Sequence, residues 1–445
     1  MNRAHRVENR DREDGRGGIR ARSWGSDSDG AANGFSRVGD GSEAMNVLFV
    51  TWDGPQVSYL ESLFLPIFER LQGAGLKFHV LQFTWGDLAR VGVARKACTA
   101  AGVPYRSAHV WRRPVGPGSL LTAITGARVI RKAVREWSID VLMPRSNLPA
   151  LACLLALRSV RRPVVFDADG LPLDERVDFA GASPSAFAHR FLRDVEAEMV
   201  RRADRVLARS ERAVEILIAR GGAGTAQGKF HVVGNGRDAE KFGPGDEASR
   251  RAMRQALGID AAAPLLVYAG SLGEQYCLEE MLQLFEAVKR RRADARLLIL
   301  SGSPEVARSA LSARPTLDAA TVVKAVPAHE VPRYLACADL GLAFRRPSFS
   351  MQAVAPIKVG EYLLCGLPVV ATKGVGDTDA IGVDVGFLVE RMDARELEGA
   401  AEWFCERVLT DRGGFAGRCR AVGCEGFSLE AGMGAYLEAF QALRR

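Results

Sequence analysis

No run of about 18 apolar residues, the length a membrane-spanning helix requires, occurs anywhere in the 445-residue sequence. The eight cysteines (Cys98, Cys153, Cys277, Cys337, Cys365, Cys405, Cys419 and Cys424) stand singly in apolar segments, with no C-x-x-C and no histidine cluster. That pattern excludes a disulfide framework and predicts reduced thiols, no structural metal and a cytoplasmic protein. Neither G-x-G-x-x-G nor G-x-x-x-x-G-K-[ST] is present, which argues against a dinucleotide oxidoreductase and a P-loop NTPase. The arginine doublets at 112–113 and 161–162 carry no interleaved aromatics and no nucleic-acid motif, so nucleic acid is not the expected partner. Residues 1–44 lack apolar side chains almost entirely and carry eight arginines against eight acids. They hold no stretch resembling a secretory leader, and such a composition cannot bury enough surface to offset ordering entropy. They are expected to be a disordered extension, with the folded chain starting at Met45.

What is present is a regular alternation of short, β-branched apolar runs with amphipathic segments of helix length. Val47–Thr51 opens the series, followed by a helix from Tyr59 to about Gly73, "KFHVLQF", a helix near Asp87–Ala101 and a basic helix near Leu120–Trp137. "DVLMPR", "PVVFDAD", "ADRVLARS" and "KFHVVGNG" complete the first half. After a polar stretch the alternation restarts with "PLLVYAGS" and runs through "ARLLILSGS", "ATVVKAV" and "DLGLAF". Strands separated by 10–15-residue helices predict parallel sheets, and two such runs predict two Rossmann-like domains facing across a cleft. The expected division is residues 45–243, residues 244–428, and a last helix, 429–445, returning to pack on the first domain. The overall charge of +7 is lopsided: residues 45–243 carry 28 basic against 19 acidic side chains, residues 244–445 carry 24 against 26. A one-sided basic excess suits an anionic membrane face or a phosphorylated substrate.

Three glycine-containing loops follow strands and let backbone amides approach a phosphate: Gly54 in "WDGPQVS", Gly270–Ser271–Leu272 in "AGSLGEQY", and Gly302 in "SGSPE". "PIKVGEYLLCGLPVVAT" (356–372) reads as helix, tight turn and buried strand, with Pro356 at the helix start and Gly366 just past its end. Lys358 and Glu361, three apart, share one face of that helix, where free N–H groups favour a phosphate and a carboxylate suits paired sugar hydroxyls. In "VVFDADG", Asp167 and Asp169 stand two apart at a strand end, a spacing that also occurs where a divalent cation is held.

In "VVGNGRDAEKF" (232–242) the chain resembles the N-G-x-D-x-x-x-F hinge of the family 4 glycosyltransferases. "ADRVLARSERAVEIL", "AGSLGEQYCLEEML", "VPAHEVPRYLACADLGLAF" and the 356–372 stretch are similar to further segments of that family, in the same order from Met45 onward. The resemblance implies the GT-B fold, an α/β architecture of two Rossmann-like domains. It also implies a retaining glycosyltransferase that takes its sugar from a nucleoside-diphosphate donor, most readily UDP or GDP, without metal or other cofactor. Donor binding then falls to Gly54, Gly270, Ser271, Leu272, Gly302, Val326, Pro327, Lys358 and Glu361, with Glu361 on the ribose, and catalysis to Asp169, Asp167 and Lys358. The implied acceptor is a saccharide, lipid-linked or part of a surface polysaccharide, met through the basic first domain on the inner face of the cytoplasmic membrane. The chain departs from the family pattern where Ala353 replaces the first glutamate of E-x7-E and where Ser271 and Tyr276 replace the basic pair of the phosphate loop. Arg345 and Arg346 are the nearest substitutes. Two alternatives remain: a nucleotide-sugar epimerase of the same fold, and a degenerate donor-binding subunit.

Overall fold

The computed structural model describes residues 44–444; the expectation of disorder for residues 1–44 falls, Ala44 apart, outside them. In the first domain, β1 (Met45–Asp53), β2 (Leu76–Thr84), β3 (Tyr105–His109) and β4 (Val141–Pro144) line up in the order β3-β2-β1-β4. β5 (Val165–Asp167), β6 (Arg205–Ala208) and β7 (Phe230–Val232) continue the layer, joined to β4 by parallel bridges Leu142–Val164 and Arg145–Asp167. The second domain holds β8 (Leu265–Ala269), β9 (Arg296–Leu300), β10 (Thr321–Lys324), β11 (Leu340–Ala343), β12 (Val369–Thr372) and β13 (Gly386–Val389) in the order β10-β9-β8-β11-β12-β13. Every ladder between these strands is parallel. Parallel strands need helical crossovers that cover both faces, which is why their sequences are almost continuously apolar. Val47–Val50 and Leu265–Val267 are accordingly fully buried.

One helix differs from the sequence reading in the type of its first turn and another in where it starts. The first helix opens as a π-helical turn, Leu60–Phe64, before Leu65–Gln72, because Pro66 has no N–H to continue the regular ladder. The basic helix starts at Val115 rather than Leu120; Pro117 sits in its first turn, where a missing N–H costs nothing.

The chain crosses between the domains twice. The outward crossing runs through residues 233–243 and the return through Phe427–Leu429, and the two are pinned together. Arg237 N donates to Phe427 O at 2.8 Å, and Leu429 N donates to Arg237 O at 2.9 Å. Gly236 is required here, since a Cβ would lie 2.4 Å from the Ser428 carbonyl oxygen. The helix Leu429–Gln441, capped by the Ser428 hydroxyl, then feeds Leu429, Met433, Tyr436 and Phe440 into the apolar core around Val47, Phe49, Phe68 and Phe78 of the first domain.

Candidate active site

The cleft lies beyond the carboxyl ends of both sheets, where ligands of open α/β sheets bind. On the second-domain side β8 ends in Gly270 (φ +148°), and a Cβ there would come 2.3 Å from Lys358 Cε. The loop 270–272 is tied by the Tyr268 hydroxyl, which donates to the Ser271 carbonyl. Lys358 enters from the helix Ile357–Leu364, whose N-cap is Pro356, and Gly366 beyond its end adopts φ +75° as expected. Its ammonium stands over two rings, 4.6 Å from the Tyr276 centroid and 5.4 Å from that of Tyr268. Burial pulls its pKa down to about 7, the neighbouring Arg345 cation acts in the same direction, and Glu361 opposes both.

The Arg345 guanidinium packs on the same Tyr276 ring, 4.3 Å from its centroid. Of the two arginines that the sequence offered as replacement charge, Arg345 is therefore at the cleft; Arg346 turns outward to Glu274 at 2.8 Å. Glu361 does not pair with Lys358, although both sit on the same helix. Its Oε1 accepts from Arg237 Nε at 2.8 Å instead. Gly302 follows β9, and Val326 and Pro327 follow β10, so with Gly270 they line consecutive carboxyl ends of one sheet edge.

On the first-domain side three strands deliver acids and a base to one spot. Asp53 closes β1, Arg145 follows β4, and Asp169 follows β5 in a left-handed conformation (φ +53°). Arg145 Nη2 donates to Asp169 Oδ1 at 2.6 Å, while Nη1 lies 4.0 Å from Asp53 Oδ1. The face of Arg145 rests on Tyr59 and Phe64, at 5.4 and 5.1 Å. The Asp169 side chain keeps 28% exposure. Burial raises its pKa, Arg145 counteracts, and Asp167 and Asp53 add to the rise.

Asp167 has a different position from the one proposed for it as a catalytic group. It is fully buried and both its oxygens accept from Arg209 Nη2, at 2.6 and 2.8 Å. With no free oxygen toward the cleft it supports Asp169, whose N–H donates to Asp167 Oδ1 at 3.2 Å. Gly54 packs against the Trp85 ring at the end of the β1 loop, on this same side.

Tyr59 stands over the Arg145 guanidinium with 46% exposure; partial burial and the Asp169 carboxylate raise its pKa, and the cations Arg145 and Arg345, one from each domain, oppose the rise. Residues 350–353 reach from the second domain into the first. Ser350 N donates to Asp178 Oδ2 at 2.9 Å, the Ser210 hydroxyl donates to Gln352 O at 2.7 Å, and Arg212 Nε donates to Gln352 Oε1 at 2.9 Å. Ala353, standing where the family pattern has a glutamate, is fully buried in the first domain's core, its carbonyl against Gly170. Tyr59, Arg145 and Arg237 were not among the residues singled out from sequence.

Residues 64–236 match the family model for the glycosyl transferase 4-like domain, and residues 263–407 that for glycosyl transferases group 1. The chain is 28% identical over 218 residues to a D-inositol 3-phosphate glycosyltransferase of Saccharomonospora viridis, a match covering 46% of this chain and 48% of that protein. It thus spans about half the length of that curated relative. Among solved structures, Anabaena Alr3699/HepE in complex with UDP superposes with a TM-score of 0.66 at 18% identity, over 89% of this chain and 100% of that one. A glycosyltransferase from Rickettsia africae gives 0.67 at 13% identity, over 91% and 100%. With two consecutive glycosyltransferase family models laid over two facing Rossmann-like domains, the chain belongs to the family 4-like glycosyltransferases of GT-B fold.

Proposed function

We propose that this protein transfers a sugar, with retention of anomeric configuration, from a nucleoside-diphosphate sugar to a hydroxyl of a saccharide acceptor presented at an anionic membrane surface. The observation that carries the donor half is the convergence of Gly270, Lys358 and Arg345 at the end of β8, with Glu361 one helical turn away. Backbone amides of 270–272, the Lys358 ammonium and the Arg345 guanidinium hold the diphosphate and stabilise the charge that grows on it as the glycosidic bond breaks. Glu361 accepts hydrogen bonds from the ribose hydroxyls. The departing phosphate oxygen takes the acceptor's proton on the face the new bond forms on, so no enzyme nucleophile is required, and the positive side chains take the role that a metal ion would otherwise fill. Asp169, opposite, faces the transferred sugar.

A thermal-shift screen of UDP-, GDP-, ADP- and dTDP-sugars tests the donor half, because a ligand that binds only the native state raises the melting point. UDP and UDP-glucose come first, as the ligands of the Anabaena structures. At least one donor should raise the melting point by several degrees; no shift from any of them removes the reading. Product analysis with donor alone separates a transferase, which leaves the sugar's configuration intact apart from slow hydrolysis, from an epimerase.

The acceptor half rests on the helix Val115–Glu136, which packs one face on the first domain through Ala123, Ala127, Ile130 and Val134. Its opposite face presents Leu121 (44% exposed), Ile124 (48%), Arg128, Lys132 and Arg135, spaced three and four apart. Trp111 (54%) and Val115 (53%) extend the apolar end toward the carboxyl edge of the sheet. An apolar end flanked by cations fits the headgroup region of an anionic bilayer, and it points the cleft at whatever lipid-linked saccharide lies there. No described helix is long and apolar enough to cross a membrane. Co-sedimentation with phosphatidylglycerol vesicles should exceed that with phosphatidylcholine. Arg128→Gln with Arg135→Gln should weaken it by about 2 kcal/mol, roughly thirtyfold. Equal binding to both vesicle types would remove the membrane from the reading and leave a soluble saccharide acceptor.

A further inference from the structure

Arg237 occupies an unusual junction. Its backbone closes the bridge between the two interdomain crossings, and its neighbour Gly236 leaves that bridge no slack. Its side chain leaves the crossing in two directions. Nε donates to Glu361 Oε1 at 2.8 Å, on the helix of the donor half, and Nη1 donates to the Ser62 carbonyl at 3.3 Å, in the π-helical turn of the first domain. That turn is the one Tyr59 caps, so the same guanidinium touches the element that presents Tyr59 to the cleft and the carboxylate on the far side of it. Both members of the ion pair are largely shielded, at 18% and 14% exposure. Glu361 Oε2 has no hydrogen-bond partner among the described residues. A carboxylate on a flexible side chain loses binding energy to rotamer freedom each time it engages a ligand; one oxygen clamped by a planar, pre-organised donor fixes the other.

We infer that Arg237 is a positioning residue for donor recognition: it sets Glu361 for the ribose and ties that setting to the first domain, so the ribose site is complete only at this interdomain angle. The inference rests on the assignment of Glu361 to the ribose in the proposed function. It adds a residue whose effect passes entirely through Glu361.

The test is a double-mutant cycle read by calorimetry. Wild type, Arg237→Ala, Glu361→Ala and the double variant are each titrated with UDP, GDP and ADP, and the tightest binder is then compared with its nucleoside. Arg237→Ala should weaken binding about five- to twentyfold, and by the same factor for nucleoside and diphosphate, because the ribose is common to both. In the Glu361→Ala background the same change should cost less than about twofold. Arg237→Lys should recover little, since a single ammonium cannot hold Glu361 and the Ser62 carbonyl in fixed directions. Melting curves accompany each variant. Should Arg237→Ala fail to fold, Arg237→Gln, which keeps a donor for the Ser62 carbonyl, enters the same cycle. Additive losses, a loss confined to the diphosphate, or tighter binding in Arg237→Ala each overturn the inference, the last by making Arg237 a competitor for the carboxylate. If Glu361→Ala binds as wild type does, the donor assignment itself falls, which is a distinct result.

Discussion

Asp169→Asn should lower turnover about 100-fold or more, measured as release of nucleoside diphosphate from the donor, while changing donor affinity by no more than about twofold. Asn has the size of Asp and tolerates a left-handed backbone, so the φ of +53° and the turn into Gly170 should survive. What changes is charge. Arg145 loses the anion it holds at 2.6 Å, and a partly exposed carboxylate beyond the end of β5 is neutralised. A group that acts on the transferred sugar as its bond breaks is felt in turnover and not in ground-state binding. Parallel losses of affinity, turnover and melting temperature would make Asp169 a structural turn residue. Asp167 could not then inherit the role, because both its oxygens are committed to Arg209 below the surface.

The second large effect is a pH dependence set by Lys358. Its folded-state pKa, about 7, lies well below the ordinary lysine range because burial and the Arg345 cation disfavour the ammonium. The groups facing it are Tyr268, Tyr276, Arg345 and Glu361, and only Glu361 is an anion that favours the charge. A bound diphosphate adds negative charge and draws the proton back, so binding above pH 7 is accompanied by proton uptake. Affinity should therefore fall about 50-fold between pH 7 and pH 9, approaching tenfold per unit. Calorimetry at pH 8 in two buffers of different ionisation enthalpy should report close to one proton taken up. Lys358→Met should bind weakly at every pH, with no proton linkage. The stability sign is the reverse of a salt-bridged lysine: a depressed folded pKa means stability is withheld below pH 7 and regained as pH rises. The methionine variant should thus gain most in melting temperature over wild type below pH 7. A steep pH dependence that persists in Lys358→Met would move the linked proton to another group.

The fold was legible because parallel α/β architecture writes itself in apolar runs, and because Gly270 and Gly366 sit where only glycine fits a close approach or a left-handed turn. Spacing put Lys358 and Glu361 on one helix face, since i and i+3 share a face whatever lies opposite, and the family resemblance singled them out for the donor. Their partners were not so marked. Arg237 is 124 positions from Glu361, and nothing local distinguishes it from other arginines of the basic half. Tyr59 and Arg145 belong to a site assembled from the ends of three strands and a turn, a juxtaposition that register fixes only after the sheet is built. The D-A-D spacing could not separate its two acids either. One residue of chain between them, at the point where β5 ends and the backbone turns left-handed, sends Asp167 inward to Arg209 and Asp169 outward to Arg145.

The return helix Leu429–Gln441 has a practical consequence for anyone recombining this enzyme. The first domain is discontinuous in the gene: it comprises the amino-terminal half and the last residues of the chain, which complete the core around Phe49 and Phe78. A chimera made by a single crossover at the hinge would join one parent's first domain to the other parent's closing helix, mismatching Tyr436 and Phe440 against a foreign core. Exchanging donor specificity as a cassette calls for two junctions, one beside Gly236 and one beside Ser428, placed where the crossings already touch so that both grafts share the same seam.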